Sequence, residues 1–214
     1  KILNLIADGV TNAQTLAGQD LNLSAATLIG NGRLIAGRDA NLSLQGNYTN
    51  TVGNVIKANR NLALSTTGIL KNQTVLEAVG NLTLTAASLD NQIAATINAS
   101  NTTLNSTGRI TNAGGITGNN VGSTSASFSN TGSVMGNVIT LNTGSLDNTG
   151  AVAFIGASQQ LNLAIANSLG NKDGATLYSL GDVNIGANLG INPATGYLLG
   201  NTGSVLNSSA IIEA

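Results

Sequence analysis

Hydrophobic and polar residues alternate along the chain in short segments that recur about every 20 residues. The first recurring feature is an aliphatic pair at positions i and i+2. These pairs are Leu21/Leu23, Leu42/Leu44, Leu62/Leu64, Leu82/Leu84, Ile139/Leu141, Leu161/Leu163 and Val183/Ile185. Because alternate side chains of a β-strand point to the same face, this spacing predicts short strands with one buried face.

Two further columns recur in a constant order with the aliphatic pairs. One has a large apolar residue two positions before an asparagine, and its asparagines are Asn31, Asn50, Asn72, Asn91, Asn112, Asn130, Asn148, Asn171 and Asn201. The other has an apolar residue two positions before a small one, as in Ile35/Gly37, Ile56/Ala58, Leu76/Ala78, Ile97/Ala99, Ile116/Gly118, Val134/Gly136 and Leu177/Ser179. Each repeat therefore contains three short strands.

This pattern predicts an all-β fold, a single-stranded parallel β-helix (solenoid) of about nine coils of about 20 residues. A helical repeat is disfavoured because the chain has 27 glycines, and each costs about 1 kcal/mol in a helix interior. Three strands per repeat return the chain to its starting column one layer higher, at the ~4.8 Å spacing of paired strands. A right-handed winding is expected, since parallel crossovers are almost always right-handed.

The asparagine column is predicted to be structural. Asparagine tolerates the backbone angles of a tight corner, and its amide both donates and accepts hydrogen bonds. Stacked in register on successive coils, such amides form a ladder. Binding of a ligand by these asparagines is the minor alternative.

One residue per coil lies between the partners of the third column and is expected to point outward. These residues are Ala36, Lys57, Glu77, Asn98, Thr117, Met135 and Tyr178. Lys57 and Glu77 fall on adjacent coils, so an exposed ion pair between them is expected.

Two stretches depart from the pattern. In residues 120–127 the expected aliphatic pair is replaced by small and hydroxylated residues. Residues 186–198 lengthen one repeat and contain the only proline, which cannot join an interior ladder. We therefore expect 186–198 to be a loop insertion. Asn192, Pro193 and Tyr197 are its candidate receptor contacts, and a neutral insertion is the alternative.

Composition excludes several function classes. The chain has 8 basic and 9 acidic residues, no histidine and no cysteine. Zinc, haem and iron–sulfur sites lose their usual ligands, so no metal or cofactor is expected. A formal charge of −1 gives no electrostatic footprint for nucleic acid. No apolar run is long enough to span a bilayer.

A catalytic pair of carboxylates is the one chemical alternative. Asp20 and Asp39 lie near equivalent strand starts on neighbouring coils, at a separation that a glycoside-cleaving pair could have. Arg38 and Arg60 are close in register, however, and surface Asp–Arg pairs are the simpler interpretation. The chain is therefore expected not to be an enzyme.

The residues also resemble a known family. Asn-Leu-x-Leu strands at 41–44, 61–64 and 81–84 alternate with Leu-x-Asn-x-Gly-x-Ile/Val corners, of which residues 146–152 are the closest example. This combination resembles the repeats of filamentous haemagglutinin and of the contact-dependent growth inhibition exoproteins. The resemblance implies a filament on the cell surface of a Gram-negative bacterium, secreted by two-partner secretion through an outer-membrane transporter.

The functional expectation follows from that resemblance. The filament would act in adhesion or present a toxin to target cells, with a target-cell receptor or surface glycan as partner. Residues 1–214 are expected to be one β-helix segment and a fragment of a longer filament, because neither end carries a polar cap. The alternative is a carbohydrate-binding or carbohydrate-cleaving β-helix of the tailspike or lyase type.

Overall fold

The structure, a computed structural model, describes residues 1–214 and consists of strands without helices. Its strands are β1 (Leu3–Thr11), β2 (Gln14–Ala17), β3 (Leu21–Ile29), β4 (Arg33–Ala36), β5 (Ala40–Leu44), β6 (Tyr48–Asn50), β7 (Val55–Ala58), β8 (Leu62–Thr66), β9 (Ile69–Asn72), β10 (Val75–Ala78), β11 (Asn81–Ala86), β12 (Ser88–Asn91), β13 (Thr96–Asn98), β14 (Asn101–Ser106), β15 (Arg109–Asn112), β16 (Gly115–Asn130), β17 (Ser133–Thr149), β18 (Phe154–Lys172), β19 (Thr176–Ser179), β20 (Asp182–Gly186), β21 (Ser204–Ser208) and β22 (Ile211–Glu213).

The strands wind into a β-solenoid of about nine coils, as the sequence predicts. Every pairing between these strands is parallel and joins equivalent positions of successive coils, as in Leu42↔Leu64 and Leu64↔Leu84. Each coil has three faces. The first face carries the aliphatic pairs, the second face carries the asparagine column, and the third face carries the apolar–small pairs. From coil 6 onward β16, β17 and β18 each bend around corners and contribute to all three faces.

The coils are numbered from the N-terminus. Coil 1 spans residues 3–17, coil 2 spans 21–36, coil 3 spans 40–58, and coil 4 begins at Leu62. The core is one continuous column of aliphatic side chains along the solenoid axis, because inward residues of all three faces meet there. Leu64, Leu70 and Leu76 represent the three faces of coil 4, and each is at most 1% exposed.

Glycines stand at the corners that follow the second-face strands of coils 6 and 7. Gly114 and Gly132 lie two residues after ladder asparagines, at short corners. A Cβ on either glycine would collide with a backbone carbonyl of the coil below. The Asn-x-Gly spacing of the sequence is therefore a steric requirement at these corners.

Coil 2 differs from the predicted register by one residue. Leu28 and Leu34 point inward, whereas Ile29 is 62% exposed. The observed register requires a glycine at position 32, because a Cβ there would collide with the carbonyl oxygen of Ala13. Gly32, like Gly114 and Gly132, thus lies where the backbone of the preceding coil leaves no space for a Cβ.

This register also corrects the third face of coil 2. The predicted inward pair Ile35/Gly37 is wrong, and Leu34 and Ala36 occupy the inward positions opposite Ile56 and Ala58. Ala36, expected to point outward, is fully buried.

The two irregular stretches have different outcomes. Residues 120–127 lie within strand β16, with Val121 and Ser123 in the inward positions opposite Ile139 and Leu141. Their small side chains therefore change the chemistry of the core without changing the path of the chain.

The segment outside strands near the C-terminus is 187–203, longer than the predicted 186–198. Gly186 still belongs to β20, and the chain rejoins the solenoid at Ser204. The structure contains no helix long and apolar enough to cross a membrane.

Candidate functional site

A buried ladder of asparagine amides runs along the second face from coil 3 to the last coil. Each Nδ2 donates to the Oδ1 of the next asparagine at 2.8 Å, in the order Asn50, Asn72, Asn91, Asn112, Asn130, Asn148, Asn171 and Asn207. Asn50 through Asn171 are fully buried. The ladder lies inside the solenoid, so its amides face one another rather than solvent.

The same amides also close the corner that follows each second-face strand. Nδ2 of Asn91 donates to the carbonyl oxygen of Gly115 at 3.3 Å, and Nδ2 of Asn148 donates to that of Thr176 at 3.1 Å. Each asparagine therefore joins its own coil to both the second and the third face of the next coil.

The ladder includes seven of the nine predicted asparagines. The prediction is wrong for Asn31 and Asn201, because both side chains are exposed and neither is hydrogen-bonded to the ladder. At coil 2 the register places Gly30 at the ladder position, since Val10 pairs with Leu28 and Asn12 follows Val10 by two. At the C-terminal end Asn207 is the rung instead, paired in register with Asn171. The spacing Val205-x-Asn207 is the signal that could have identified it.

The insertion 187–203 forms a tight turn that projects from the solenoid. Asn192 donates its backbone N–H to the carbonyl oxygen of Tyr197, and Gly196 donates to that of Asn192, both at 2.8 Å. Pro193 lies within this turn, where no ladder hydrogen bond is required of it. The turn thus brings all three predicted contact residues, Asn192, Pro193 and Tyr197, onto one projection.

Tyr197 is 63% exposed and borders a groove of about 330 Å³ next to β20 and Ala214. The insertion is held to the solenoid at its base, where the N–H of Ala187 donates to the carbonyl oxygen of Leu199 at 3.1 Å. Leu198 is 9% exposed and covers Gly186. The tip of the insertion is therefore solvated while its base is packed.

Asp20 and Asp39 are both engaged by arginines. Arg38 donates from Nε and Nη2 to Asp20 at 3.0 and 2.6 Å, and Arg60 binds Asp39 in the same two-pronged way. The Arg60 hydrogen bonds lower the pKa of Asp39 to about 2, and those of Arg38 lower the pKa of Asp20. Both carboxylates are held ionised, whereas a general acid for glycoside cleavage needs a raised pKa.

Other charges form partly exposed pairs between adjacent coils. The expected pair is present, with Nζ of Lys57 at 2.9 Å from Oε1 of Glu77, and Lys172 pairs with Asp147 at 2.8 Å. No group of three or more Asp, Glu, His or Cys side chains is placed to hold a metal ion.

An aromatic pair on the third face is absent from the predicted site residues. The rings of Phe154 and Tyr178 stack with centroids 6.5 Å apart and a 30° angle between planes. The Phe154 ring lies over Gly156, where a Cβ would collide with it, and Met135 lies opposite Gly156 on the preceding coil. The sequence signal is the aromatic residue at outward position 178, one coil after Phe154.

Comparison with known proteins gives one local similarity. No protein-family model matches the chain, and no solved structure matches it. The chain is 37% identical over 73 residues to tRNA nuclease CdiA-2 of Burkholderia pseudomallei (strain 1026b). The match covers 34% of this chain and 2% of that protein.

Proposed function

We propose that the chain is a segment of a secreted filament on the surface of a Gram-negative bacterium. The observation that carries this proposal is the stack of in-register coils joined by a buried amide ladder. The local similarity to CdiA-2, 37% identity over 73 residues, supports it. The repeat pattern, which resembles that of contact-dependent growth inhibition exoproteins, supports it as well.

The proposed mechanism is mechanical. Each coil contacts only its neighbours, so length is added without enlarging a globular core. At ~4.8 Å per coil, nine coils give a rod about 40 Å long. The ladder stiffens this rod, since bending it stretches hydrogen bonds between buried amides that have no water to replace them.

In this proposal the filament projects adhesive or toxin-bearing parts away from the producing cell. It reaches the surface with an outer-membrane transporter of two-partner secretion, and it has no catalytic role in this segment. The solvated tip of the insertion, with Asn192, Pro193 and Tyr197, is the proposed contact with a target-cell receptor.

Surface labelling tests this proposal. Intact producing cells are incubated with an antibody against residues 1–214 and imaged by electron microscopy. We expect label on filaments outside intact cells, and its loss when the cognate transporter is deleted. Label that appears only after cell lysis would contradict a surface role.

Binding of a surface glycan is a second candidate, favoured by the half-buried Phe154–Tyr178 platform at the surface of the third face. Aromatic faces that bury apolar area and carry a polar tip are common at binding surfaces. A glycan-array measurement checks this candidate. We expect binding by the parent to be lost in Tyr178→Ala and kept in Tyr197→Ala, and equal binding by both variants would refute it.

A further inference from the structure

The stacking of coils is interrupted on one face between coil 2 and coil 3. The second-face strands pair across the other junctions, from β1–β3 at the N-terminal end to β18–β21 near the C-terminal end. The second-face part of β3, residues 27–29, has no strand partner in β6, which pairs only with β9. The first and third faces continue across this junction through Leu23↔Leu42 and Leu34↔Ile56.

Buried polar atoms without partners are concentrated at the same place. Five buried side-chain oxygens have no hydrogen-bond partner, and three of them are Tyr48 Oη, Asn50 Oδ1 and Asn54 Oδ1. All three belong to coil 3, whose second-face strand has no strand partner on the side of coil 2. Asn50 is the first rung of the ladder, so its Oδ1 has no donor where Gly30 replaces an asparagine. Buried polar atoms without partners favour entry of water.

The corner before the second face changes length at the interruption. Two residues separate the inward side chains of Ala25 and Leu28 at the corner of coil 2. Three residues separate those of Leu44 and Tyr48 at the corresponding corner of coil 3. The same one-residue difference occurs between coils 8 and 9, where Leu146 and Leu169 still pair. The missing second-face pairing is therefore particular to the junction of coils 2 and 3.

We infer that this junction, residues 27–32 of coil 2 against 48–54 of coil 3, is a built-in hinge of the rod. Coils 1 and 2 are joined to the rest along the first and third faces and are unpaired on the second face, where transient opening admits water. Residues 3–36 therefore fluctuate as a unit separate from the ladder-bearing coils. This goes beyond the proposed function, since a uniform shaft would bend evenly along its length.

Thiol labelling of single-cysteine variants tests the hinge, because the chain has no cysteine of its own. Tyr48→Cys reports on the junction. Phe128→Cys is the matched control, since Phe128 occupies the same inward column within the ladder and is 1% exposed. Both variants replace a buried aromatic residue, so they create cavities of similar size. Labelling rates are measured in the native protein from zero to low urea.

We expect Tyr48→Cys to be labelled at least about tenfold faster than Phe128→Cys, with a rate nearly independent of urea, as local opening exposes little surface. Labelling of Phe128→Cys should rise steeply with urea, as global unfolding does. Equal rates, or a steep urea dependence at both sites, would overturn the hinge. If Tyr48→Cys does not fold, Leu28→Cys on the other side of the junction serves with the same expectations. Surface labelling of cells is independent of this result, so either proposal can fail alone.

Discussion

At the scale of single residues, two kinds of side chain connect neighbouring coils. Buried asparagines donate and accept within the ladder, and partly exposed aspartates accept from arginines one coil above. The first kind is protected from water and should matter for stability. The second kind is solvated and should depend on pH.

Removing a central rung of the ladder should destabilise the solenoid. Asn112→Ala removes the acceptor of Asn91 and the donor to Asn130. Each buried group left unpaired costs about 1–3 kcal/mol, so we expect a loss of about 2–4 kcal/mol in the free energy of unfolding. Urea denaturation followed by circular dichroism measures it.

Asn201→Ala is the matched control for that variant. Asn201 is exposed and outside the ladder, so its replacement should change the free energy of unfolding by less than about 0.5 kcal/mol. If the two variants unfold at the same urea concentration, the ladder does not stabilise the fold.

The Asp39–Arg60 pair should make stability depend on acid. The folded-state pKa of Asp39, about 2, lies below the ordinary value of 3.8. A lowered pKa stabilises the fold at a pH above the ordinary value, and that contribution is lost as the pH falls from about 4 towards 2. Between pH 5 and pH 2, Tm should fall further in the parent than in Asp39→Asn. Parallel curves for the two proteins would show that the pair contributes nothing.

At the scale of strands, the inward columns carry the fold and the outward columns tolerate change. Leu64 of β8 is 1% exposed, and its neighbour Ala63 points to solvent. Leu64→Asp would bury a charge without a partner. The free-energy cost of removing that charge from water is comparable to the whole free energy of unfolding of a typical domain. We expect Leu64→Asp to be unfolded or severely destabilised by circular dichroism, and Ala63→Asp to melt like the parent. The reverse order would invert the assigned faces.

The insertion 187–203 should be separable from the solenoid. Replacing its exposed tip, residues 189–197, by a short Gly-Ser linker removes Tyr197 and leaves the base at Ala187 and Leu199. We expect an unchanged β-sheet circular-dichroism spectrum, with loss of cell binding. A collapse of the spectrum would show that the tip is structural.

Much of the fold is predictable from the sequence because each inward column repeats one type of residue at one spacing. The last coil is one exception, since Asn207 replaces the predicted Asn201. Coil 2 is the other, since Leu28-Ile29 and Leu34-Ile35 offer two equally apolar registers. The observed register needs a glycine at position 32, because a Cβ there would collide with the carbonyl oxygen of Ala13 on the preceding coil. The periodicity of the sequence does not reveal such a contact between coils.

The candidate site was less predictable, because its geometry depends on neighbouring coils. The exposed turn of 192–197 could be predicted, because Pro193 has no backbone N–H to donate to an interior strand ladder. The platform of Phe154 and Tyr178 depends on a ring lying over Gly156. The open junction at Tyr48 depends on a pairing that is missing between two coils. Neither has a local signature in the sequence.

At the scale of the whole molecule, the solenoid is a linear array in which each coil depends on its neighbours. Stability should therefore be unevenly distributed, highest where the ladder is continuous and lowest at the junction of coils 2 and 3. Such an array is suited to the proposed surface filament, because it can be extended without a new core.

The most direct test of the central claim, parallel coils stacked in register, measures distances along one outward row. Ala63, Thr103, Thr140 and Asn162 are in register on coils 4, 6, 8 and 9. Spin labels at Ala63→Cys paired with Cys at each other position should give separations of about 10, 19 and 24 Å, which increase by ~4.8 Å per coil. Separations that repeat or shrink along this series, as in an antiparallel sandwich, would contradict the account.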